Sequence, residues 1–538
     1  MSLIPIGRAL ISVSDKTAVA EFALGLARHG IKIVSTGGTA DVLRRAGVTV
    51  RDVSEVTGYP ELFAGRVKTL HPTVHGGILY RRGVKEDEEQ RHRHGVVSID
   101  LVCVNLYPFE ETIARAGVTD AEAIEQIDIG GPALIRAAAK NHASVLVVTD
   151  SAQYAEVLDA LNRGSGSVPE ELARRYAAKA FERTAEYDAA IARYLAGARA
   201  STVGAMAAGA GSGGTGAPAA ERTLPERLDW HFRRIQTLRY GENPGQEGAL
   251  YAPVGDSPLD VLTQLRGKTL SFNNLLDVEG ALSLLCEFEE TAAVVVKHRN
   301  PSGAAIAATP AEAITLARDG DSLSAFGGIL GINRPLDALA LRAIGNFFYE
   351  VVLAPSIVVE DEALAGLRKN LILLEVPDLL RSAGGRTTGR MLLGGVLLET
   401  APGPPRFAGW TAATKRAPTP EERRDLEFAW RVTRHVVSNA IVIARGGRTL
   451  GIGAGQSSRV DSVHLALMKA KRSGLDVRGA VLASDAFFPF ADSVEAAAEA
   501  GITAIAQPGG SVRDAESVAA AEKAGIAMVF THERCFLH

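Results

Sequence analysis

The chain has 538 residues, enough for several cores, and its 46% hydrophobic and 22% charged content is an ordinary globular mixture. A formal net charge of −4 supplies no basic excess for nucleic acid and no acidic tail. Cys103, Cys286 and Cys535 are scattered without a CxxC pair, so no disulfide framework is expected and a reducing cytoplasm suits the chain.

Nothing approaches 18 uninterrupted apolar residues, and the opening MSLIPIGR lacks a basic-then-apolar leader. Neither a membrane nor a nucleic-acid partner is expected. Arg8–Val13 reads as a strand, and Val19, Phe22, Ala23 and Leu26 follow at one-face helical spacing. Ile31–Val34 is the next strand, then Thr39–Ala46 a helix stopped by Gly47. Ile99–Val104 and Val145–Val148 are further strands, with a helix over Asp128–His142 between them. Such alternation predicts an α/β fold with a parallel, doubly wound sheet.

Residues 201–220 read STVGAMAAGAGSGGTGAPAA, of which 18 are Ala, Gly, Ser, Thr or Pro. They predict a flexible linker between a first domain, residues 1–200, and a region spanning 221–538. That region is again mixed α/β, with buried strands at Ala292–Val296, Ala440–Ala444 and Ala480–Ala483. VVVKHRNPSGAA and VVSNAIVIARGG each set an apolar strand beside polar residues, which suggests a duplicated unit divided near residue 390.

Three loops precede helices in the same way: Ser12-Val13-Ser14-Asp15-Lys16-Thr17, Ser35-Thr36-Gly37-Gly38-Thr39 and Asp128-Ile129-Gly130-Gly131-Pro132. Helix N-termini with glycines and hydroxyls attract phosphate. N-capping uses the same residue types, but three such loops in one sheet favour an anion. Arg66-Val67-Lys68-Thr69-Leu70-His71-Pro72 adds two cations and a hydroxyl within four residues, and Asn105-Leu106-Tyr107-Pro108 closes another strand with an amide and a phenol.

Taken in order, SVSDKT, STGGTA, GRVKTLHP, NLYPF and QIDIGG…RAAAKNH resemble the bifunctional purine-biosynthesis family. That family joins 5-aminoimidazole-4-carboxamide ribonucleotide (AICAR) formyltransferase to inosinate (IMP) cyclohydrolase, and the resemblance covers nearly the whole chain. It implies a methylglyoxal-synthase-like N-terminal fold that closes the last purine ring. Ser12, Ser14, Lys16, Thr36, Gly37, Gly38 and Thr39 would hold the 5′-phosphate, with Arg66 also binding substrate. Lys68, Thr69, Asn105, Tyr107, Asp128 and Lys140 would surround the reacting groups. Among these Lys68 would stabilise an oxyanion, Tyr107 relay a proton, and Asp128 and Lys140 orient the carboxamide.

In the second region Leu238-Arg239-Tyr240-Gly241-Glu242-Asn243-Pro244 resembles the family's nucleotide-contacting motif, through Arg239 and Tyr240. Lys297-His298 ends an apolar strand, where a charge is costly unless used. By the resemblance His298 accepts a proton and Lys297 stabilises the tetrahedral oxyanion. Asn439, in Ser438-Asn439-Ala440, would bond the formyl oxygen. Gly451-Ile-Gly-Ala-Gly-Gln456 leads to Arg459, and GxGxG by itself fits either a nucleotide loop or tight strand packing. Ser484-Asp485-Ala486-Phe487-Phe488-Pro489-Phe490 would wall a pterin, through Phe488 and Pro489, with Asp492 as polar partner. Arg534, Phe536 and His538 would approach the AICAR site.

The resemblance further implies tandem cytidine-deaminase-like α/β domains, 10-formyltetrahydrofolate as cosubstrate, AICAR and formyl-AICAR as substrates, and a homodimer whose transfer sites draw on both subunits. It leaves room for a monovalent cation. A zinc deaminase would need a His/Cys-Ala-Glu-type motif and Pro-Cys-x-x-Cys, and the chain has neither, so no zinc is expected. Arg299, Val437, Ala491, Glu399 and Cys535 depart from the family's usual residues and bear on folate affinity. Two alternatives stand beside the bifunctional reading: a cyclohydrolase with impaired transfer, and a noncatalytic nucleotide-binding protein.

Overall fold

Apolar runs of three or four residues without polar alternation make strands buried on both faces, the pattern of a parallel sheet between helices. The first part of the chain has seven described strands: β1 (Leu3–Pro5), β2 (Arg8–Ile11), β3 (Lys32–Ser35), β4 (Val50–Asp52), β5 (Leu101–Cys103), β6 (Leu146–Val148) and β7 (Ser167–Pro169). Five form an all-parallel sheet in the order β4-β3-β2-β5-β6, while β1 and β7 pair antiparallel. The chain travels outward from β2 to β4, then returns to the other side of β2 for β5 and β6. Strand order therefore reverses between β2 and β5, where the loops after the two strands diverge and leave a crevice. The computed structural model describes residues 2–115, 117–195, 230–253, 262–358, 367–377 and 387–538, with positions 224, 228, 259 and 364 between them.

The chain forms two compact units, Met1–Ser201 and Thr202–His538. Residues 201–220, expected as a linker, lie outside the described residues. Helices Val19–Arg28, Gly37–Arg45, Pro72–Leu79, Gly130–Lys140 and Glu170–Leu195 flank the first sheet. Val19, Phe22, Ala23 and Leu26 are the buried face of the first helix, as their spacing predicts. The expected strand Arg8–Val13 ends early, at Ile11, because the Val13 amide donates to the Thr39 hydroxyl instead of a neighbouring strand. The expected helix Asp128–His142 is Gly130–Lys140. Its start moves because the Asp128 carboxylate accepts the Gly131 amide at 2.7 Å from outside the helix.

The second unit has sixteen described strands. In chain order they are β8 (Phe232–Leu238), β9 (Gly248–Pro253), β10 (Thr263–Arg266), β11 (Ala292–Lys297), β12 (Asn300–Ile306), β13 (Ile329–Ile332), β14 (Val351–Ala354), β15 (Ile372–Glu375), β16 (Thr387–Leu392), β17 (Gly395–Thr400), β18 (Thr411–Ala412), β19 (Ile441–Arg445), β20 (Arg448–Gly453), β21 (Val481–Ser484), β22 (Ala504–Gln507) and β23 (Ala527–Phe530). Twelve make one sheet, ordered β10-β15-β14-β13-β11-β12-β20-β19-β21-β22-β23-β18.

The order is a repeat. Antiparallel hairpins β11–β12 and β19–β20 meet back to back at the middle, each followed outward by three mutually parallel strands and an antiparallel edge. The hairpin β16–β17, where the expected division near 390 falls, stands outside this sheet.

Alternate side chains of each strand enter different cores. Ala292, Val294 and Val296 join a core that continues across both halves, beneath helices Phe272–Leu285 and Pro420–Thr433. Ala293 and Val295 face a separate core under Pro310–Gly320, and the second half has its own under Arg459–Arg472. Gly451 and Gly453 of β20 let that last helix lie against the strand, since a Cβ on either would overlap the carbonyl of Ala466 or Ser462. Of the two readings of GxGxG, close packing is the one seen.

Asp321 ties the halves together from within. It is 2% exposed, accepts the Ser324 amide and hydroxyl, and pairs with Arg472 at 2.9 Å and Lys469 at 3.6 Å from the other half. Burial pushes its carboxyl up, but the Ser324 bonds and the two cations outweigh this and hold it below the usual value. A depressed carboxylate stabilises the fold above its unfolded pKa and loses that contribution as pH falls through its folded one. Asp321→Asn should therefore cost about 1.5–3 kcal/mol near neutral pH. In urea melts the deficit should narrow only once pH drops below the ordinary aspartate range, because the folded carboxyl titrates lower still. Narrowing near pH 6 would assign the effect to another group.

Candidate active sites

The crevice between β2 and β5 collects most of the residues expected for ring closure. Asn105, just past β5, accepts the amides of Ser14 at 2.5 Å and Asp15 at 3.1 Å, and donates to the Asp15 carbonyl at 2.9 Å. The loops after β2 and β5 are thus stitched by one side chain. The Ser12 and Thr36 hydroxyls stand 3.1 Å apart, and Thr39 both donates to and accepts from the Val13 backbone. Thr36 occupies the N-cap of Gly37–Arg45 without bonding its amides, so its hydroxyl does not satisfy the helix end. Lys16 folds back, its ammonium donating to the carbonyls of Val13 and Ser14.

Lys68 reaches this group from a separate loop. Its ammonium pairs with Glu61 at 2.9 Å and passes between two glycines. A Cβ on Gly37 would come within 3.2 Å of the Lys68 nitrogen, and one on Gly65 within 2.9 Å of its Cε. Thr69 is buried beside Gly130, so the basic segment and the Asp128 loop are neighbours. Arg66 turns outward into an exposed ion pair with Glu125.

Asp128 binds backbone. Its carboxylate receives the amides of Gly131, Tyr107 and Gly130, while its own amide donates to the Tyr187 hydroxyl at 2.8 Å. Burial still holds the carboxyl above its usual range. Tyr107 itself is 45% exposed, available at the crevice. Lys140 is elsewhere. It ends the helix that Asp128 introduces, about 16 Å along the axis at 1.5 Å per residue, and lines a surface hollow with Leu79, Arg136, His142 and Phe181.

In the second unit the candidates gather where the two central hairpins meet. Lys297 ends β11 and donates to the Phe326 carbonyl at 2.7 Å. His298 and Arg299 form the turn into β12. Asn300 accepts the Val437 amide at 3.0 Å, joining this turn to the Ser438-Asn439 segment. Asn439 accepts from Arg459 at 2.6 Å and donates to the Gln456 carbonyl at 2.8 Å, leaving one amide hydrogen uncommitted. Arg459 is 7% exposed and ion-pairs with the fully buried Asp485, which also accepts from the Ser438 hydroxyl.

The segment Arg534–His538 returns to this group, with Cys535 donating its amide to the Asp485 carbonyl and Leu537 accepting the Ser438 amide. The Arg534 guanidinium lies over Phe536, whose ring faces His538 at 5.6 Å. Arg239 stacks over Tyr240 and donates to its hydroxyl at 3.1 Å. Asn273 holds the following turn by donating to the Glu242 carbonyl.

Phe488 is corrected. It is fully buried in the second-half core, so it cannot wall a ligand; Phe487 and Phe490, at 43% and 50% exposure, are the accessible rings. Pro489 is half-buried and Asp492 exposed at the start of helix Asp492–Glu499. Two carboxylates beside these candidates carried little signal in the sequence: Asp485, and Asp277, which accepts the His298 and Arg299 amides. The only signal for Asp485 was its place just past the apolar run Ala480–Ala483, and Asp277 sits inside a helix with none. The thiols of Cys103 and Cys535 are pushed up by burial, the former to about 12, so neither supplies a thiolate. Among the described residues no three His, Cys, Asp or Glu side chains are grouped to hold a metal ion, and no helix is long and apolar enough to cross a membrane.

Comparison with known proteins gives this geometry its family. Residues 18–133 match the model of the MGS-like domain and residues 138–469 that of the AICARFT/IMPCHase bienzyme. "Bifunctional purine biosynthesis protein PurH" of Chloroflexus aurantiacus is 50% identical, over 99% of this chain and 98% of its own. The proteins of that name from Magnetococcus marinus and Acidithiobacillus ferrooxidans are 48% and 47% identical, each over 99% of both chains. A match of this extent, over the motifs whose side chains meet at the two candidate sites, shows that the chain belongs to the AICARFT/IMPCHase family of bifunctional purine-biosynthesis enzymes.

Proposed function

We propose that the two activities of this bifunctional enzyme are divided between its units: the first closes the purine ring of formyl-AICAR to give IMP, and the second transfers the formyl group from 10-formyltetrahydrofolate to AICAR. The observation that carries the division is the presence of two separate constellations. One is the Ser12–Lys68–Asn105–Tyr107 group at the reversal of the first sheet; the other is the Lys297–His298–Asn439 group at the middle of the second. The repeated strand order supports reading the second unit as tandem cytidine-deaminase-like domains divided near residue 390.

For ring closure, the 5′-phosphate is assigned to the loops carrying Ser12, Ser14, Lys16 and Thr36–Thr39, whose uncapped helix end offers free amides. The carboxamide nitrogen attacks the formyl carbon, and the formyl oxygen takes up negative charge before leaving as water. Lys68 lies where it can neutralise that oxygen. Tyr107 is assigned proton relay, and Asp128 acts by fixing the Tyr107 backbone and the Gly130–Gly131 turn. Both reacting groups belong to one molecule, so positioning supplies much of the acceleration.

For transfer, the AICAR amine attacks the formyl carbon on N10 of the folate. His298 accepts the amine proton, Lys297 and the free amide hydrogen of Asn439 stabilise the tetrahedral oxyanion, and N10 departs with a proton as tetrahydrofolate. Arg239 and Tyr240, Arg534, Phe536 and His538 are assigned to the nucleotide. Phe487, Pro489 and Phe490 are better placed than Phe488 for the pterin. A homodimer belongs to this reading, and sedimentation of the purified protein tests it. The function is tested by product analysis with AICAR and 10-formyltetrahydrofolate: IMP and tetrahydrofolate are expected together, and formyl-AICAR left unconverted would remove ring closure.

A further inference from the structure

The β11–β12 hairpin turns on His298 and Arg299, whose φ values are 52° and 62°, between the paired residues Lys297 and Asn300. Two consecutive residues at positive φ make a type I′ turn, which Asn-Gly adopts readily. A His-Arg pair does not, because each Cβ crowds its own backbone there. The compensation comes from another element. Asp277, on helix Phe272–Leu285, accepts the His298 amide with one carboxylate oxygen at 3.2 Å and the Arg299 amide with the other at 2.7 Å. On the far side Asn300 donates to the His298 carbonyl at 3.3 Å. The His298 ring is exposed and makes no hydrogen bond of its own among the described residues, so its place follows from the turn that carries it.

We propose that Asp277 is a positioning residue for formyl transfer, clamping a strained turn so that His298 stands at the end of β11 in reach of the amine. The assignment rests on the reading of His298 given above. Two charge-assisted bonds to successive amides fix both peptide planes of the turn, and a side chain on those planes is aimed by them. Loss of the clamp lets the turn relax toward negative φ and swings the imidazole away, while the surfaces that bind nucleotide and folate stay.

In the full chain, Asp277→Ala should lower kcat for transfer on the order of 100-fold, with both KM values little changed. Asp277→Asn, which keeps one acceptor oxygen, should fall between it and the parent. Adding Arg299→Gly to Asp277→Ala removes the Cβ that resists positive φ and should recover about tenfold of the loss. Rescue by deleting a side chain is not expected of a merely structural carboxylate. Transfer by Asp277→Ala within about twofold of the parent, or a loss that Arg299→Gly fails to relieve, overturns the clamp. His298→Ala run alongside separates the two readings: if it too retains transfer, the assignment of His298 falls and the clamp with it, whereas an inactive His298→Ala beside an active Asp277→Ala removes the clamp alone.

Discussion

Replacing Lys68 by alanine is expected to reduce ring closure of supplied formyl-AICAR by about 10²–10³-fold, the usual cost of one oxyanion-stabilising donor. Formyl transfer should continue, so formyl-AICAR accumulates when AICAR and 10-formyltetrahydrofolate are mixed with this variant. The expectation rests on how the side chain is held. Lys68 reaches the crevice through a gap left by Gly37 and Gly65 and is paired with Glu61, so its ammonium is fixed before substrate arrives. His298→Ala should give the reverse phenotype, with transfer lost and ring closure kept.

Lys140→Met is the contrast within the first unit. The lysine lies at the far end of the Gly130–Lys140 helix, so ring closure should stay within about twofold of the parent, as for surface substitutions generally. Chromatographic separation of AICAR, formyl-AICAR and IMP reads all three variants. Equal losses in Lys68→Ala and Lys140→Met would contradict the geometry argued for the crevice, and simultaneous loss of both activities in a folded single variant would contradict the division between units.

Arg459→Met should produce the largest loss of stability. The guanidinium is the partner of an aspartate that has no exposure at all, and it also bonds the Ser484 hydroxyl and the Asn439 amide oxygen. Removing one member of such a pair strands the other charge in a low-dielectric interior, at about 3–5 kcal/mol. Asn439 loses its fixed orientation as well, so transfer should fall even in whatever fraction stays folded. Asp485→Asn with Arg459→Met removes both charges and should recover part of the stability but not the transfer rate. Chemical denaturation of the single and double variants measures the coupling. A loss under 1 kcal/mol in Arg459→Met would show that water reaches the pair.

The fold was legible wherever burial on both faces leaves an unbroken apolar run. Ile31–Val34, Ala292–Val296 and Ala480–Ala483 all became strands, shifted by one residue at most. The loops after β2, β3 and β5 were legible as neighbours too, since Ser12 meets Thr36 and Asn105 meets Ser14 and Asp15. Phe488 was not, because Phe487 and Phe488 are adjacent on a chain that alternates faces, and sequence does not say which faces inward. The place of Lys140 was legible only as the last residue of the helix Gly130–Lys140. Asp277 could not, since its partners are backbone amides twenty-one and twenty-two residues away, and backbone amides leave no mark on composition.

The seam between β12 and β20 governs the order in which the second unit can mature. Within each half the parallel strands and hairpins pair segments near one another in sequence and only the edge strands β10 and β18 reach across the half, whereas the seam's bond from the Ala304 amide to the Thr449 hydroxyl joins the two halves over 145 residues. Long loop closures come late because their entropy must be spent before the contact rewards it. The residues assigned to transfer straddle this seam, with the His298 turn on one side and Asn439 on the other, joined through Asn300 and Val437. During refolding, secondary structure should therefore return well before formyl transfer does, while ring closure, built on a smaller sheet without such a seam, regains its rate on its own schedule.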